Sequence, residues 1–370
     1  MNLLPERAYW LAWSRMNGVG PLLIQRLHQR FEQLSAAWSA PLAQLQTVSG
    51  VGPKLTAAIA AQRPQLNPEQ LLDQLDRKGI QFWTPLDADY PRLLREIPSL
   101  PPVLYYRGQV DPDELSGRTP TVGIVGTRNA TDYGRRWTRT ISDALAQHGF
   151  TVISGLALGI DAIAHAACLN TGGRTIAVLG TGIDVVYPRQ NQKLYDQIKA
   201  QGLLLSDYPP DTQPTSHNFP PRNRIIAGLS RAILVMEASE RSGALITARY
   251  ANEFNRDLYA LPGSLDNPQA IGCLNLANQG AQMILGPSQL LQSLGEIPHL
   301  DPVPNAPPPD LPESLLQVWQ AIGRDATAFE RIIQATGQSA PEVMSALTQL
   351  ELAGLVTQLP GQQYRQGAGA

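Results

Sequence analysis

The sequence predicts an α/β fold: a mostly parallel β-sheet with helices between its strands, preceded by an all-α domain and followed by a winged-helix domain. Three observations predict it. Short apolar runs alternate with helical segments from about 85 to 298, which is typical of a parallel sheet. A Gly-Val-Gly-Pro motif occurs twice before residue 80. A proline-rich segment at 299–312 has the composition of a linker and precedes a last region, 313–366.

Composition limits the classes of partner. With 370 residues and 43% hydrophobic content, the chain can form two or three domains. Its net charge of −2 excludes a globally basic surface, so nucleic-acid binding requires a local cluster. Of the 29 basic residues only 4 are lysine, leaving 29 − 4 = 25 arginines, and arginine binds phosphate through a planar fork. Codon bias explains that ratio but not the positions.

Cysteine usage and hydropathy indicate where the protein is found. Cys168 and Cys273 lie in apolar segments without the spacing of metal ligands. No stretch reaches the roughly 18 apolar residues of a membrane span, and the first residues lack the pattern of an export signal. We therefore expect a reduced, cytoplasmic protein without metal, cofactor or membrane anchor.

Region 1–80 contains an internal repeat, NGVGPLLIQRLHQRF at 17–31 and SGVGPKLTAAIAAQ at 49–62. The pattern resembles paired helix-hairpin-helix (SAM-like) motifs. Proline at the first helical position is favoured, which predicts that α-helices begin at Pro21 and Pro53. The turns are predicted at Gly18, Gly20, Gly50 and Gly52. Two interpretations stay open: hairpin amides that contact a DNA backbone, or a small helical packing domain.

Seven apolar runs in region 85–298 are predicted strands. They are 121–126, 151–156, 175–180, 202–208, 232–238, 257–263 and 281–285. A helix is predicted at 134–149. Because ligands of such sheets bind outside the carboxyl ends of the strands, the residues that follow each strand are the candidate site.

Glycine-rich turns follow three of these strands, where backbone N–H groups and a helix N-terminus can approach an anion. The residues at the turns are Gly126 and Arg128, Ser154 and Gly155, and Arg241, Ser242 and Gly243. Three such turns exceed what one mononucleotide requires. The sequence therefore predicts a binding edge for a chain of phosphates.

The last region has the helix–helix–helix–strand–strand order of a winged helix, with Ser339 as the predicted N-cap of the third helix. A helix that reads a DNA groove would carry basic residues, whereas APEVMSALTQLELAG offers only Glu342 and Glu351 as charged residues. This favours a protein-contact or packing role for the winged helix.

Five strings carry a family resemblance: VGIVGTRNATDYG, SGLALGIDAIAH, VLGTGIDVVYPRQN, FPPRNRIIAGLS and SGALITARYANEFNRDLYALPG. Together they resemble the DNA-processing protein A (DprA/Smf) family, nearly continuously from about 90 to 290. The resemblance implies an extended Rossmann-like domain in a non-enzymatic, homodimeric protein. It also implies binding of single-stranded DNA and loading of the RecA recombinase during natural transformation.

The resemblance assigns roles to single residues. Arg128 corresponds to the strand-end arginine, Phe219 offers a ring on which a base can stack, and Arg222 and Arg224 flank Asn223. The Asn223 amide either contacts the ligand or braces its turn.

The sequence departs from the family pattern at two positions. His217 stands near where many relatives have a lysine, and an unperturbed histidine is mostly uncharged at neutral pH. Leu274 stands where asparagine is usual. Leu274 and Leu276 either form a dimer contact or fill the core.

An enzymatic alternative is a nucleotide-processing enzyme of the Rossmann-like phosphoribohydrolase type. Glu237, Asp161 and His165 would form its acid–base set. Those enzymes carry a Pro-Gly-Gly-x-Gly-Thr loop that this chain lacks. The apolar pattern around His165 favours a packed core histidine, and Asp161 is favoured as a helix-start brace.

Overall fold

The computed structural model describes residues 4–295, 311–322, 327–353, 355–359 and 362–366. The chain divides into two compact units, Met1–Leu300 and Asp301–Ala370. Most of the predicted linker at 299–312 lies outside the described residues. Among the described helices, none has both the length and the hydropathy needed to span a membrane.

The first unit is built on a nine-stranded sheet. Its strands are β1 (Gln81–Trp83), β2 (Leu104–Gly108), β3 (Thr121–Val125), β4 (Thr151–Ser154), β5 (Thr175–Val178), β6 (Leu203–Ser206), β7 (Ala232–Val235), β8 (Asp257–Ala260) and β9 (Gln282–Met283). Their order across the sheet is β1-β2-β6-β5-β4-β3-β7-β8-β9. All pairs from β6 to β9 are parallel, which confirms the predicted fold class.

Each of the seven predicted strands is present, but each ends one to three residues earlier than predicted. The remaining residues of the runs form the turns at the carboxyl edge. The antiparallel strands β1 and β2 were not predicted, and β1, with three residues, is too short to show a period.

The side of the sheet on which successive strands are added changes at β3. From β3 the chain proceeds to β4, β5 and β6 on one side, and β7, β8 and β9 then extend the sheet on the other side. Val122 of β3 pairs with both Val152 of β4 and Ala232 of β7. The carboxyl ends of β3 and β7 therefore form a topological switch point, where α/β sheets place their ligands.

Helices cover both faces of the sheet. Those of the sheet region are α7 (Pro112–Ser116), α8 (Asp132–Gln147), α9 (Ile160–Asn170), α10 (Gln192–Gln201), α11 (Phe219–Leu229), α12 (Ala244–Glu253), α13 (Ile271–Asn278) and α14 (Pro287–Gly295). Side chains alternate along a strand, so Val122 and Ile124 pack towards α8 and α9 while Val125 packs towards α11 and α12. The predicted helix at 134–149 corresponds to α8.

Helices α1 to α6 precede the sheet, and two of them carry the repeat. They are α1 (Glu6–Ser14), α2 (Pro21–Phe31), α3 (Leu34–Ser39), α4 (Leu42–Leu45), α5 (Pro53–Gln62) and α6 (Pro68–Arg77). Gly18 and Gly50 have φ of +85° and +97°, a left-handed conformation that favours glycine. As predicted, α2 and α5 begin at the prolines of the two motifs.

The two hairpins support each other reciprocally. Arg26 of α2 donates to the Ser49 carbonyl at 2.9 Å, and the Asn17 amide donates to Gln62 of α5 at 2.9 Å. The apolar side chains of these helices share a core cluster with Leu204 of β6. The repeat thus packs as a pair.

The second unit contains α15 (Glu313–Ala321), β10 (Thr327–Ala328), α16 (Phe329–Thr336), α17 (Ala340–Leu352), β11 (Val356–Leu359) and β12 (Gln363–Gln366). Ser339 and Glu342 form a reciprocal capping box at the start of α17, as the sequence predicts. The three strands form one antiparallel sheet in the order β10-β12-β11, which completes a winged helix. Gly354 and Gly361 lie outside the described residues.

His165 is a core residue of α9 with 0% exposure, as the apolar pattern predicts. Its Nδ1 lies 2.7 Å from the Thr175 hydroxyl. Burial, and secondarily the charge of Arg222, lowers the pKa of His165 to about 3. An unfolded histidine has a pKa of about 6.5. Between these values the unfolded chain binds a proton that the folded chain does not, so stability falls as the pH falls through this window.

We therefore expect the free energy of unfolding to depend less on pH in His165→Asn than in the wild type. His165 should contribute a loss of about 1.4 kcal/mol per pH unit below about 6.5, or roughly 2 kcal/mol by pH 5. Urea titrations at a series of pH values measure both slopes. The exposed His148 provides the control, His148→Asn. Equal slopes for His165→Asn and the wild type would contradict the burial of a neutral imidazole.

Candidate nucleic-acid interface

A cleft of about 530 Å³ opens at the switch point, between the first residues of α11 and α12. Seven of the predicted site residues line it, which places residues from three separate parts of the sequence together. They are Gly126, Arg128, Phe219, Arg222, Asn223, Ser242 and Gly243.

The mouth of the cleft carries a cluster of one guanidinium and two aromatic rings. The exposed Arg128 lies with its Cζ 5.6 Å from the centre of the Phe219 ring. The ring of Tyr187, which is 39% exposed, lies 5.5 Å from that of Phe219. A positive group beside accessible π-faces is the combination that binds a phosphate and stacks a base.

Phe219 is the first residue of α11, and Gly180 provides the space for its ring. A Cβ at Gly180 would lie 2.5 Å from Cδ1 of Phe219. The ring is half-buried against this glycine while it still lines the cleft. A stacking surface at this place therefore depends on a residue without a side chain after β5.

Arg222 lies one turn further along α11 and is only 4% exposed. Its Nη1 donates to the carbonyls of Gly155, at 2.9 Å, and of Val178. These carbonyls belong to the ends of β4 and β5. The guanidinium thus fixes the start of α11 to the carboxyl edge of the sheet, and its main role is to position the cleft wall.

Asn223 joins α11 to α12. Its side-chain oxygen accepts from Arg222 Nε at 3.2 Å, and its amide nitrogen donates to the Gly243 carbonyl at 3.3 Å. The side chain therefore has a structural role, although it lies within α11 and links two helices instead of bracing a turn. The side chain is half-buried and still lines the cleft, so a ligand contact stays a prediction.

Glu237 braces the loop that carries Arg128. It is 2% exposed, and its carboxylate accepts from the amide and the hydroxyl of Thr131. Its carbonyl accepts from the Thr127 amide at 2.7 Å. A Cβ at Gly134 would lie 2.2 Å from this carboxylate, which explains the glycine in the first turn of α8.

Three predicted phosphate-binding residues do not line the cleft. Ser154 is 0% exposed and its hydroxyl donates to the Ile124 carbonyl, so it cannot contact a ligand. The amide of Gly155 donates to Asp161, not towards the cleft. Arg224 is 6% exposed, forms an ion pair with Asp207 at 2.8 Å and does not line the cleft. These predictions were wrong because strand ends and helix faces that look accessible in the sequence are buried here.

Arg241 and His217 lie outside the lining. Both side chains are exposed on loops beside the cleft, and neither is among its walls. A phosphate contact of Arg241 stays a prediction.

Leu274 and Leu276 differ in burial. Leu276 is 8% exposed and belongs to the core cluster under α11 and α12, which agrees with the core-filling alternative. Leu274 is half-buried, and its dimer contact stays a prediction.

The side chains of the predicted acid–base set form contacts that stabilise the fold. The carboxylate of Asp161 accepts from the amides of Gly155 and Ala157, as expected of a helix-start brace. Burial raises the pKa of Asp161, and the charge of Arg222 opposes that rise. His165 is buried and Glu237 is engaged with Thr131. No group of three or more potential metal ligands occurs among the described residues.

Tyr187 is the main cleft residue that sequence reasoning missed. It follows β5 at some distance and precedes Pro188, so no strand-end pattern marks it. An aromatic residue before proline in a loop beside the predicted edge was the available signal.

Comparisons with known proteins agree with this architecture. Residues 81–295 match the family model described as DNA recombination-mediator protein A, and residues 302–362 match the DprA winged helix domain. Protein Smf from Synechocystis sp. is 52% identical over 97% of this chain and 98% of its own length. Protein Smf from Escherichia coli is 38% identical over 76% of each chain.

Similar solved structures include two DNA processing proteins. DNA processing protein A from Streptococcus pneumoniae has a TM-score of 0.68 at 34% identity, covering 79% of this chain and 98% of that one. DNA processing protein A from Helicobacter pylori, solved to describe its single-stranded DNA binding mode, has a TM-score of 0.52 at 31% identity, covering 58% and 95%. With a matching family model over its sheet region and a relative this similar over nearly its whole length, the chain belongs to the DNA-processing protein A (DprA/Smf) family.

Proposed function

We propose that the chain binds single-stranded DNA across the cleft mouth and acts, without catalysis, as a recombination mediator. In this proposal it is a cytoplasmic homodimer that loads RecA onto incoming or exposed single strands during DNA uptake. The observation that carries the proposal is the exposed Arg128 guanidinium beside the half-exposed Phe219 ring. The single-stranded DNA binding described for the Helicobacter pylori relative supports it.

The chemistry of the cleft suits an unpaired strand of any sequence. Every base has a π-face that can stack on Phe219 or Tyr187, and every nucleotide has a phosphate that Arg128 can bind. The Arg222 guanidinium and the Asn223 amide are engaged with protein groups. Recognition of base edges is therefore limited, and affinity should decrease with salt because binding releases counterions from the strand.

The contacts of the acidic side chains support a mediator role without catalysis. Glu237 holds the loop of Arg128, and Asp161 holds the turn after β4. A general acid or base needs to reach the proton it transfers, and these carboxylates are committed to the fold.

Arg128→Ala should weaken binding of a single-stranded oligonucleotide by about 10- to 100-fold, because one charge-assisted hydrogen bond to a phosphate is lost. The slope of log K against log salt should fall by about 0.7. Fluorescence anisotropy across salt measures both. Arg77→Ala is the control, since Arg77 is an exposed arginine of α6 with a side-chain exposure of 79%. Binding as tight as in the control would rule out the proposed role of Arg128.

Phe219→Leu keeps an apolar side chain against Gly180 but removes the stacking ring. We expect a loss of about 1 to 3 kcal/mol of binding free energy for a normal strand, the value of one base–aromatic stack. For a strand of abasic sites, the variant and the wild type should bind equally. An equal loss on both strands would show that the variant disturbs the cleft rather than the stack.

RecA loading should depend on the same residues. The wild-type protein should accelerate assembly of RecA on a strand already covered by single-strand-binding protein, measured by RecA ATPase activity. Arg128→Ala should reduce this acceleration in proportion to its lost affinity, and Arg77→Ala should not. If the wild type gives no acceleration although it binds the strand, the mediator role is contradicted and DNA binding stands.

A further inference from the structure

The first half of α8 carries an unusual concentration of arginines and aromatic rings. Within 132–139 there are three arginines and one aspartate, a local charge of +3 − 1 = +2 in a chain whose net charge is −2. We call five of these residues the α8 strip: Tyr133, Arg135, Arg136, Trp137 and Arg139. The three arginines are exposed, and none forms an ion pair with a carboxylate in the part of the chain that the structure describes.

The Arg136 guanidinium lies near two aromatic rings. Its Cζ lies 5.9 Å from the Tyr133 ring centre and 6.0 Å from that of Trp137. The rings are 6.4 Å apart and edge to face, and the Tyr133 hydroxyl donates to the Pro262 carbonyl at 2.9 Å. A positive group and two π-faces therefore lie close together on the surface of α8.

The strip is continuous with the cleft. Arg128 lies only a few residues before α8, and Thr131 at the helix start is fixed by Glu237. Arg135 Nε donates to the Ala130 carbonyl at 3.0 Å, so its side chain lies against the loop that carries Arg128. From Asp132 to Arg139 the helix extends the positive surface by about 10 Å.

We propose that the α8 strip is a second contact for single-stranded DNA, which takes the part of the strand that leaves the cleft. The proposal rests on the proposed function of the cleft. Exposed guanidiniums beside aromatic rings bind a phosphate backbone and its bases without regard to sequence. The net positive charge of this helix half matches a polyanion.

Oligonucleotide length separates the two contacts. A strand of about 6 nucleotides should fill the cleft alone, whereas one of about 25 should reach the strip as well. The double variant Arg136→Ala/Arg139→Ala should bind the short strand like the wild type. It should bind the long strand at least about 10-fold more weakly, with a salt slope lower by about 1.4 for the two phosphates. Arg77→Ala is again the control. Fluorescence anisotropy measures the binding of the wild type, the double variant and the control to strands of both lengths.

The outcomes distinguish this inference from the proposed function. If the double variant binds long strands like the wild type while Arg128→Ala weakens both lengths, the strip is overturned and the cleft stands. If Arg128→Ala changes neither length, the proposed function itself fails. An equal loss on both lengths would also overturn the strip, because it would show an effect on the cleft loop. Arg136→Lys, which keeps the charge, should retain most of the salt slope.

Discussion

The cleft depends on one buried cation. Arg222 takes its guanidinium out of water and donates to the carbonyls at the ends of β4 and β5, beside the Asp161 carboxylate. An unpartnered charge at this depth would cost several kcal/mol, so these contacts fix the start of α11 in one place. Gly155 must be glycine, because a Cβ there would lie 2.7 Å from the guanidinium and 2.8 Å from Asp161. The wall that holds Phe219 is built on this contact.

The arginines of α11 and those near the cleft and on α8 differ in burial. Arg222 and Arg224 of α11 are 4% and 6% exposed and stabilise the fold. Arg128 and Arg136 are exposed and form no ion pair with a carboxylate among the described residues. A buried, satisfied guanidinium has lost most of its capacity to bind a phosphate. Only an exposed one retains the charge and the donors that a strand needs. The string Arg-Asn-Arg thus positions the binding surface that Arg128 supplies.

The sequence was sufficient for the repeated and periodic features. The seven parallel strands, the helix starts at Pro21 and Pro53 and the cap at Ser339 each follow from a local rule of spacing or capping. Predictions from the sequence were wrong where a tertiary contact determines whether a side chain is buried. The burial of Arg222 and Arg224 depends on carbonyls and a carboxylate distant in sequence, from Gly155 to Asp207. The burial of Ser154 follows from the strand ending inside the sheet, and β1, with three residues, is too short to show a pattern.

The central claim is that an unpaired strand lies across the mouth of the cleft at the switch point. Photocrosslinking tests it most directly, with an oligonucleotide that carries iodouracil at each position in turn and mass spectrometry of the crosslinked peptides. The account predicts that crosslinks concentrate on the peptides that contain Phe219 and Tyr187, because the Phe219 ring lies near both Arg128 and Tyr187. Crosslinks confined to the hairpins at Gly18 and Gly50 or to α17, with none at the cleft, would contradict it.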